Sequence, residues 1–198
     1  MHRQTFALLL VAMLASTHAD AKPSRPRETP ILTSVSDLSL LGPKVRPLPQ
    51  RLWPIRRGDR IKLEYPLPYL AEEVSPYGWR FSDYKDQWRL HTGHDLIAPA
   101  GTAVLAALSG KALMVQPISG YGLTVLLDHG NGWQTLYAHL LSARIRPGQL
   151  IKTGAPLGNV GQSGHASTAH LHFELRRSKN GKLMAIDPAP LLKHVPVR

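Results

Sequence analysis

From Ser75 onward the sequence is a succession of short runs rich in Val, Leu, Thr and aromatic residues, cut every few positions by Gly, Pro or Asn, and no stretch sustains a helical period. A chain patterned this way has no long amphipathic helix to pack, so strands have to bury its apolar side chains. The expected fold class is all-β, an antiparallel β-sheet or β-sandwich. Candidate strands are 102–106, 111–116, 123–128, 134–139, 157–160 and 170–176. His129-Gly130-Asn131-Gly132 joins two of these runs with residues that accept positive φ, so 122–139 reads as a β-hairpin. Arg146-Pro147-Gly148-Gln149 marks another turn, and no internal repeat stands out.

With 198 residues the chain accommodates one medium domain plus extensions. Cysteine is absent, which removes disulfides, thiolate metal sites and cysteine nucleophiles and leaves His, Asp and Glu to bind any metal. The excess of 24 Lys and Arg over 13 Asp and Glu suits an anionic partner such as nucleic acid, a membrane or a wall polymer. The N-terminus narrows that choice. Arg3 precedes an apolar run over 6–15 that ends in small and polar residues, the pattern of a secretory signal peptide. Ala19-Asp20-Ala21 supplies a cleavage site, with Thr17-His18-Ala19 as the competing register. The run is shorter than the roughly 20 residues that span a bilayer, so no permanent membrane anchor is expected. The alternative is a buried N-terminal helix of a cytoplasmic protein. Export makes a nucleic-acid partner the weaker reading and points to a periplasmic or secreted protein.

The expected organisation is a signal peptide over 1–21, a Pro-rich basic arm or linker over 22–54, an N-terminal extension packing on the domain over 55–75, and the main domain over 76–195. Between Lys22 and Arg60 there are nine Lys or Arg against three Asp or Glu. Seven prolines up to Pro54 repeatedly deny backbone donors, so the arm reads as extended, either solvated or bound to a polyanion. Residues 31–41 are more apolar and could pack on the domain.

Three short constellations carry the chemistry. His170-Leu171-His172-Phe173-Glu174-Leu175 alternates polar and apolar residues, so in a strand both histidines and Glu174 share one face. Two imidazoles on one face can meet a single ion, with Glu174 able to orient a ring through its second nitrogen; an exposed polar strand face is the bland alternative. His91-Thr92-Gly93-His94-Asp95 sets an imidazole and a carboxylate four residues apart around a glycine that permits a sharp turn. Two His and one Asp would leave a fourth tetrahedral position for water, the open arrangement of a catalytic zinc site. Tyr137-Ala138-His139-Leu140 places a third imidazole at a strand end. By itself that histidine reads as structural.

In this order and spacing, with Ser75-Pro76-Tyr77-Gly78-Trp79-Arg80 before them and the stretch from Gly161 to Glu174 completing them, these elements resemble the lysostaphin-type or LytM-like zinc endopeptidases of bacterial cell walls. The resemblance implies a lysostaphin-like peptidase fold built on a duplicated hybrid motif. It implies His91, Asp95 and His172 as ligands of one Zn2+ per chain, and His139 and His170 as a catalytic pair in a groove. It implies an endopeptidase acting on crosslinks or stem peptides of peptidoglycan, the polyanionic partner, and a monomer is expected. All five positions are intact, whereas some relatives have lost ligands and act as non-catalytic activators of other wall hydrolases, the alternative function. His94 stands where the family usually has an aliphatic residue, and its strand parity points it away from the metal. The segments 81–89 and 162–169 are expected groove walls, with Tyr84 and Trp88 either touching substrate or packing the loop. The stretch 146–154 also resembles biotinyl and lipoyl carrier domains, a likeness attributable to shared β-turns.

Overall fold

The computed structural model describes residues 24–25, 60–72, 74–83, 86–179 and 182–193; the expected signal peptide and nearly all of the arm lie outside the described residues. Twelve strands follow one another: β1 (Val74–Ser75), β2 (Gly78–Ser82), β3 (Gln87–His91), β4 (His94–Ile97), β5 (Ala103–Leu105), β6 (Gly110–Ile118), β7 (Gly122–Gly130), β8 (Trp133–Ala143), β9 (Leu150–Ile151), β10 (Pro156–Val160), β11 (His170–Lys179) and β12 (Lys182–Ile186). A single 3-10 turn, Ala189–Leu191, follows them. There is no α-helix among the described residues, and among them no helix is long and apolar enough to cross a membrane. Ten strands form one sheet in the order β1-β4-β11-β8-β7-β6-β9, with β10 pairing β5 and β8, and β12 pairing β11; β2 and β3 form a separate hairpin. All strand pairs are antiparallel.

The six runs expected from sequence correspond to β5, β6, β7, β8, β10 and β11, most of them longer than their apolar stretch. β1, β2, β3, β4, β9 and β12, each at most five residues long, were not among them. The hairpin between β7 and β8 turns through Asn131 (φ 48°) and Gly132 (φ 77°). Two successive positive φ values are what a tight hairpin turn matching the strand twist requires.

The central strands are buried on both faces. On one side Val125, Leu127, Tyr137, Leu171, Phe173 and Leu175 join Val104, Leu157 and Val160 in the main core. On the other, Met114, Leu126, Leu136 and Ala138 form a smaller cluster. Each such aliphatic or aromatic side chain contributes about 1.5–3 kcal/mol when fully buried, so β7, β8 and β11 are the rigid frame of the molecule. Ile61, Leu63 and Leu67 add to the main core from the segment before β1. Its backbone is fastened where Leu63 N–H donates to Leu191 (2.8 Å) and Lys193 N–H donates to Leu63 (2.7 Å).

One buried histidine belongs to this frame alone. His129 Nδ1–H donates to the Ser109 carbonyl (2.8 Å), and Nε2 meets the Thr135 hydroxyl at 2.7 Å. Burial pushes its imidazole down to about 4, against smaller opposing effects of the Ser109 bond and Asp128. Between that value and the ordinary value of about 6.5 the unfolded chain holds a proton that the native chain refuses. Stability from this residue is therefore complete above about pH 6.5 and falls as the pH drops toward 4, by about 3 kcal/mol in total. Urea midpoints measured across this window for wild type and His129→Gln should show a shallower acid loss in the variant. Parallel curves would contradict the assignment.

Candidate active site

The pairing of β4 with β11 sets Asp95 directly opposite His172, and the two-residue link Thr92-Gly93 brings His91, the last residue of β3, back beside them. The three ligand-type atoms converge. His91 Nε2 lies 3.0 Å from Asp95 Oδ1, His172 Nδ1 lies 2.7 Å from the same oxygen, and the two nitrogens are 3.3 Å apart. A tetrahedral zinc with bonds of about 2.0–2.1 Å holds its ligand atoms roughly 3.3–3.4 Å apart. The residues present fit such an ion with little rearrangement. Gly93 makes the convergence possible: a Cβ there would sit 2.3 Å from the Phe173 carbonyl oxygen and 2.8 Å from Glu174 Cγ. Its backbone is not in the positive-φ region, so β4 needs glycine here for close approach to β11 and not for an unusual turn.

Each ring's outward nitrogen has a partner. His91 Nδ1 lies 2.8 Å from the Pro76 carbonyl oxygen and 2.7 Å from Arg80 Nη2, which also donates to that carbonyl at 2.5 Å; with its proton on Nδ1, His91 would offer the Nε2 lone pair to an ion. His172 Nε2–H donates to Glu174 Oε1 (2.9 Å), and with an ion in place its Nδ1 would offer the lone pair. Glu174 also accepts from the Tyr121 hydroxyl (2.8 Å), the Thr92 hydroxyl (2.5 Å) and Arg176 Nε (2.5 Å). Burial opposes ionisation of this carboxyl, but the Arg176 charge and the His172 hydrogen bond win and hold it well below the usual carboxylate range. Arg176 is itself fully buried, and its Nη1 and Nη2 have no hydrogen-bond partner among the described residues. Glu174 is therefore the counter-ion of a buried guanidinium and at the same time the group that orients the His172 ring.

Electrostatics suit the trio to a cation. Burial alone would raise the Asp95 carboxyl, yet hydrogen bonds from His172 and His91 hold it far below its ordinary value. Burial would lower His172, but Asp95 and Glu174 push it up to about 9. Two carboxylates around one imidazole thus favour positive charge between them, as a site for a divalent ion must.

His139 and His170 stand beside the trio with ring centroids 4.7 Å apart, His139 5.8 Å from His172. His139 owes its position to a bulge. Leu123 pairs with Leu140 and Val125 with Tyr137, so β8 carries one extra residue there, and His139 takes φ 59°. Strict alternation would point His139 to the core face with Tyr137; the bulge turns it to the face of His172. His139 Nδ1–H donates to the Ser163 carbonyl (2.7 Å) and His170 Nδ1–H to the Thr168 carbonyl (2.9 Å). With Nδ1 so engaged, His139 Nε2 makes no hydrogen bond to any described residue, and His170 Nε2 faces Asp95 Oδ1 at 3.6 Å. Burial pushes His139 down to about 4, assisted by neighbouring His170 and His172 and opposed by the Ser163 bond. It is a neutral base at neutral pH.

These groups line an open groove of about 400 Å³. Arg89, Leu90, Gly120, Tyr121, His165 and Ser167 complete the lining. The expected second wall, 162–169, is fixed by Ser163, whose hydroxyl donates to the Leu140 carbonyl (2.9 Å) and accepts from Leu123 N–H (2.9 Å). Of the expected first wall, Arg89 reaches the groove, Tyr84 lies outside the described residues, and Trp88 packs edge-on against Phe81 with centroids 5.7 Å apart. His94 turns away from the trio and pairs with Asp187 at 3.1 Å. Sequence reasoning missed Tyr121 and Arg176. Tyr121 sits in a glycine turn with no polar pattern around it, whereas Arg176 continues the alternation of β11 and could have been found by extending it.

The model of peptidase family M23 matches residues 89–188, half of the chain. Over 102 residues the chain is 41% identical to the DD-carboxypeptidase/endopeptidase Mpg of Neisseria meningitidis, a match covering 52% of this chain and 24% of that protein. The chain thus spans about a quarter of the curated relative's length. Among solved structures, a zinc-containing peptidase from Vibrio cholerae superposes with a TM-score of 0.58 at 25% identity, over 65% of this chain and 39% of that one. The catalytic domain of lysostaphin from Staphylococcus simulans superposes with a TM-score of 0.53 at 27% identity, over 60% of this chain and 90% of that domain. With its lysostaphin-like all-β fold, the chain belongs to peptidase family M23.

Proposed function

We propose that this protein is a zinc-dependent endopeptidase that hydrolyses peptide crosslinks or stem peptides of bacterial peptidoglycan. The observation that carries the reading is the convergence of three ligand-type atoms and two further imidazoles, each anchored through Nδ1, in one groove. His91, Asp95 and His172 would hold one zinc, which supplies Lewis acidity and a water of lowered pKa at neutral pH. Around it, the Nε2 of one of His139 and His170 accepts the proton of the attacking water, while the other stabilises the oxyanion or hands a proton to the leaving amine. Glu174 keeps the His172 ring in register through Nε2. The names of the relatives, a DD-carboxypeptidase/endopeptidase and lysostaphin, support a cell-wall peptide substrate. The N-terminal pattern and the net charge of +11 support export to the wall compartment and retention on an anionic polymer. In this reading residues 1–21 are removed, 22–54 form the arm, and a monomeric peptidase domain runs over 76–195.

The test is digestion of purified peptidoglycan by the zinc-loaded protein, with products read by mass spectrometry, with and without a chelator. Chelator-sensitive release of muropeptides with newly freed amines is expected. Stimulation of a second hydrolase with no release by this protein alone would instead identify an activator.

A further inference from the structure

The proposed reaction leaves one wall of the groove unexplained. Arg89 lines it, is exposed, and makes no hydrogen bond or ion pair with any described residue. It lies two residues before His91 in β3, so both side chains share one face of that strand. Its cross-strand neighbour is Arg80, whose guanidinium is committed to the Pro76 carbonyl and to His91 Nδ1. Tyr121, His165 and Ser167 also line the groove, and the sole acid among the lining residues is Asp95, which faces His91 and His172. Arg89 is thus the one permanent cation among the lining residues with nothing to pair with. A planar fork of donors with this freedom is suited to a carboxylate, which it can hold through two parallel bonds.

Two residues of strand cover roughly 7 Å, so a guanidinium at position 89 reaches groups about one residue from a bond placed over the His91, Asp95 and His172 cluster. Cell-wall peptides differ in what they offer there. A C-terminal D-alanine carries a free carboxylate on the carbon bearing the scissile nitrogen. So does a crosslink made through the amine of a diamino-diacid residue whose second carboxyl is free. A crosslink to a lysine side-chain amine, or one whose carboxyl is amidated, has none. We propose that Arg89 binds the free carboxylate adjacent to the scissile nitrogen, and that the enzyme thereby selects acidic leaving residues over amidated or carboxylate-free ones. The proposal rests on the peptidase reading above and specifies its substrate class.

The experiment compares two crosslinked peptide dimers, identical except that the diamino-diacid carboxyl next to the scissile nitrogen is free in one and a carboxamide in the other. The zinc-loaded full chain is assayed with both, as wild type, Arg89→Gln and Arg89→Lys, and zinc content is measured in each. A charge-assisted pair of hydrogen bonds predicts a preference of about 10- to 100-fold in kcat/KM for the free acid in wild type. The preference should collapse toward unity in Arg89→Gln, chiefly through a raised KM for the acid, and be partly kept in Arg89→Lys, all with one zinc per chain. Equal cleavage of both dimers by wild type, or an undiminished preference in Arg89→Gln, overturns the role of Arg89 alone. Cleavage of neither dimer overturns the peptidase reading together with it.

Discussion

His172→Ala should purify without zinc and release muropeptides at least about 10³-fold more slowly than wild type, because the ion that brings water's pKa from about 16 to about 7 is no longer held. In the proposed site the side chain would supply one of three ligand atoms, and it touches both Asp95 and Glu174. Removing it would leave His91 and Asp95 alone, at the end of one strand and in its neighbour. The fold should survive, since Glu174 keeps Arg176, Tyr121 and Thr92 as partners. Atomic absorption on the purified variant, circular dichroism and the digestion assay together check the expectation. A folded variant with stoichiometric zinc and normal product release would show that the metal centre lies elsewhere.

His139→Ala and His170→Ala should behave differently from the ligand variant. Each is expected to lose about 10²- to 10⁴-fold in kcat while zinc stays bound, the usual consequence of removing a positioned acid or base. Both imidazoles are anchored through Nδ1 to backbone carbonyls, of Ser163 and Thr168, and neither anchor involves a residue of the metal trio. The double variant should be scarcely worse than the worse single one, because groups that act as a unit are non-additive. Loss of stoichiometric zinc in His170→Ala, whose Nε2 is 3.6 Å from Asp95, would instead make that residue a ligand.

What could be read from the sequence was the allocation of side chains to faces. The alternation from His170 to Leu175 separates Leu171, Phe173 and Leu175, which enter the core, from His170, His172 and Glu174 on the opposite face. The sequence left open how far that polar face met water, and most of it is buried: His170, His172 and Glu174 are 7%, 6% and 0% exposed, the two histidines reaching the groove. Alternation reports which residues share a side, whereas burial depends on what other segments bring to it. β4 illustrates the limit. His-Asp-Leu-Ile carries little strand signal, and its pairing with β11 is a contact between positions far apart in the chain. His139 was found in spite of parity, since only a bulge in β8 points it to the site. The necessity of Gly93 was legible, but its reason was not, because the close approach to Phe173 exists only once β4 and β11 have paired.

The two-faced character of β11 has a consequence for length variation in this gene. A substitution in the strand alters one environment, but a single-codon insertion or deletion between His170 and Arg176 exchanges every environment beyond it. Imidazoles, a carboxylate and a guanidinium would be driven against Val125 and Tyr137 while Phe173 and Leu175 turned toward the groove. No compensating change at one site could restore both faces. Frame-preserving insertions should therefore be absent from this segment in functional chains, and concentrate instead at the exposed turn around Pro147 and Gly148, where neither face is at stake.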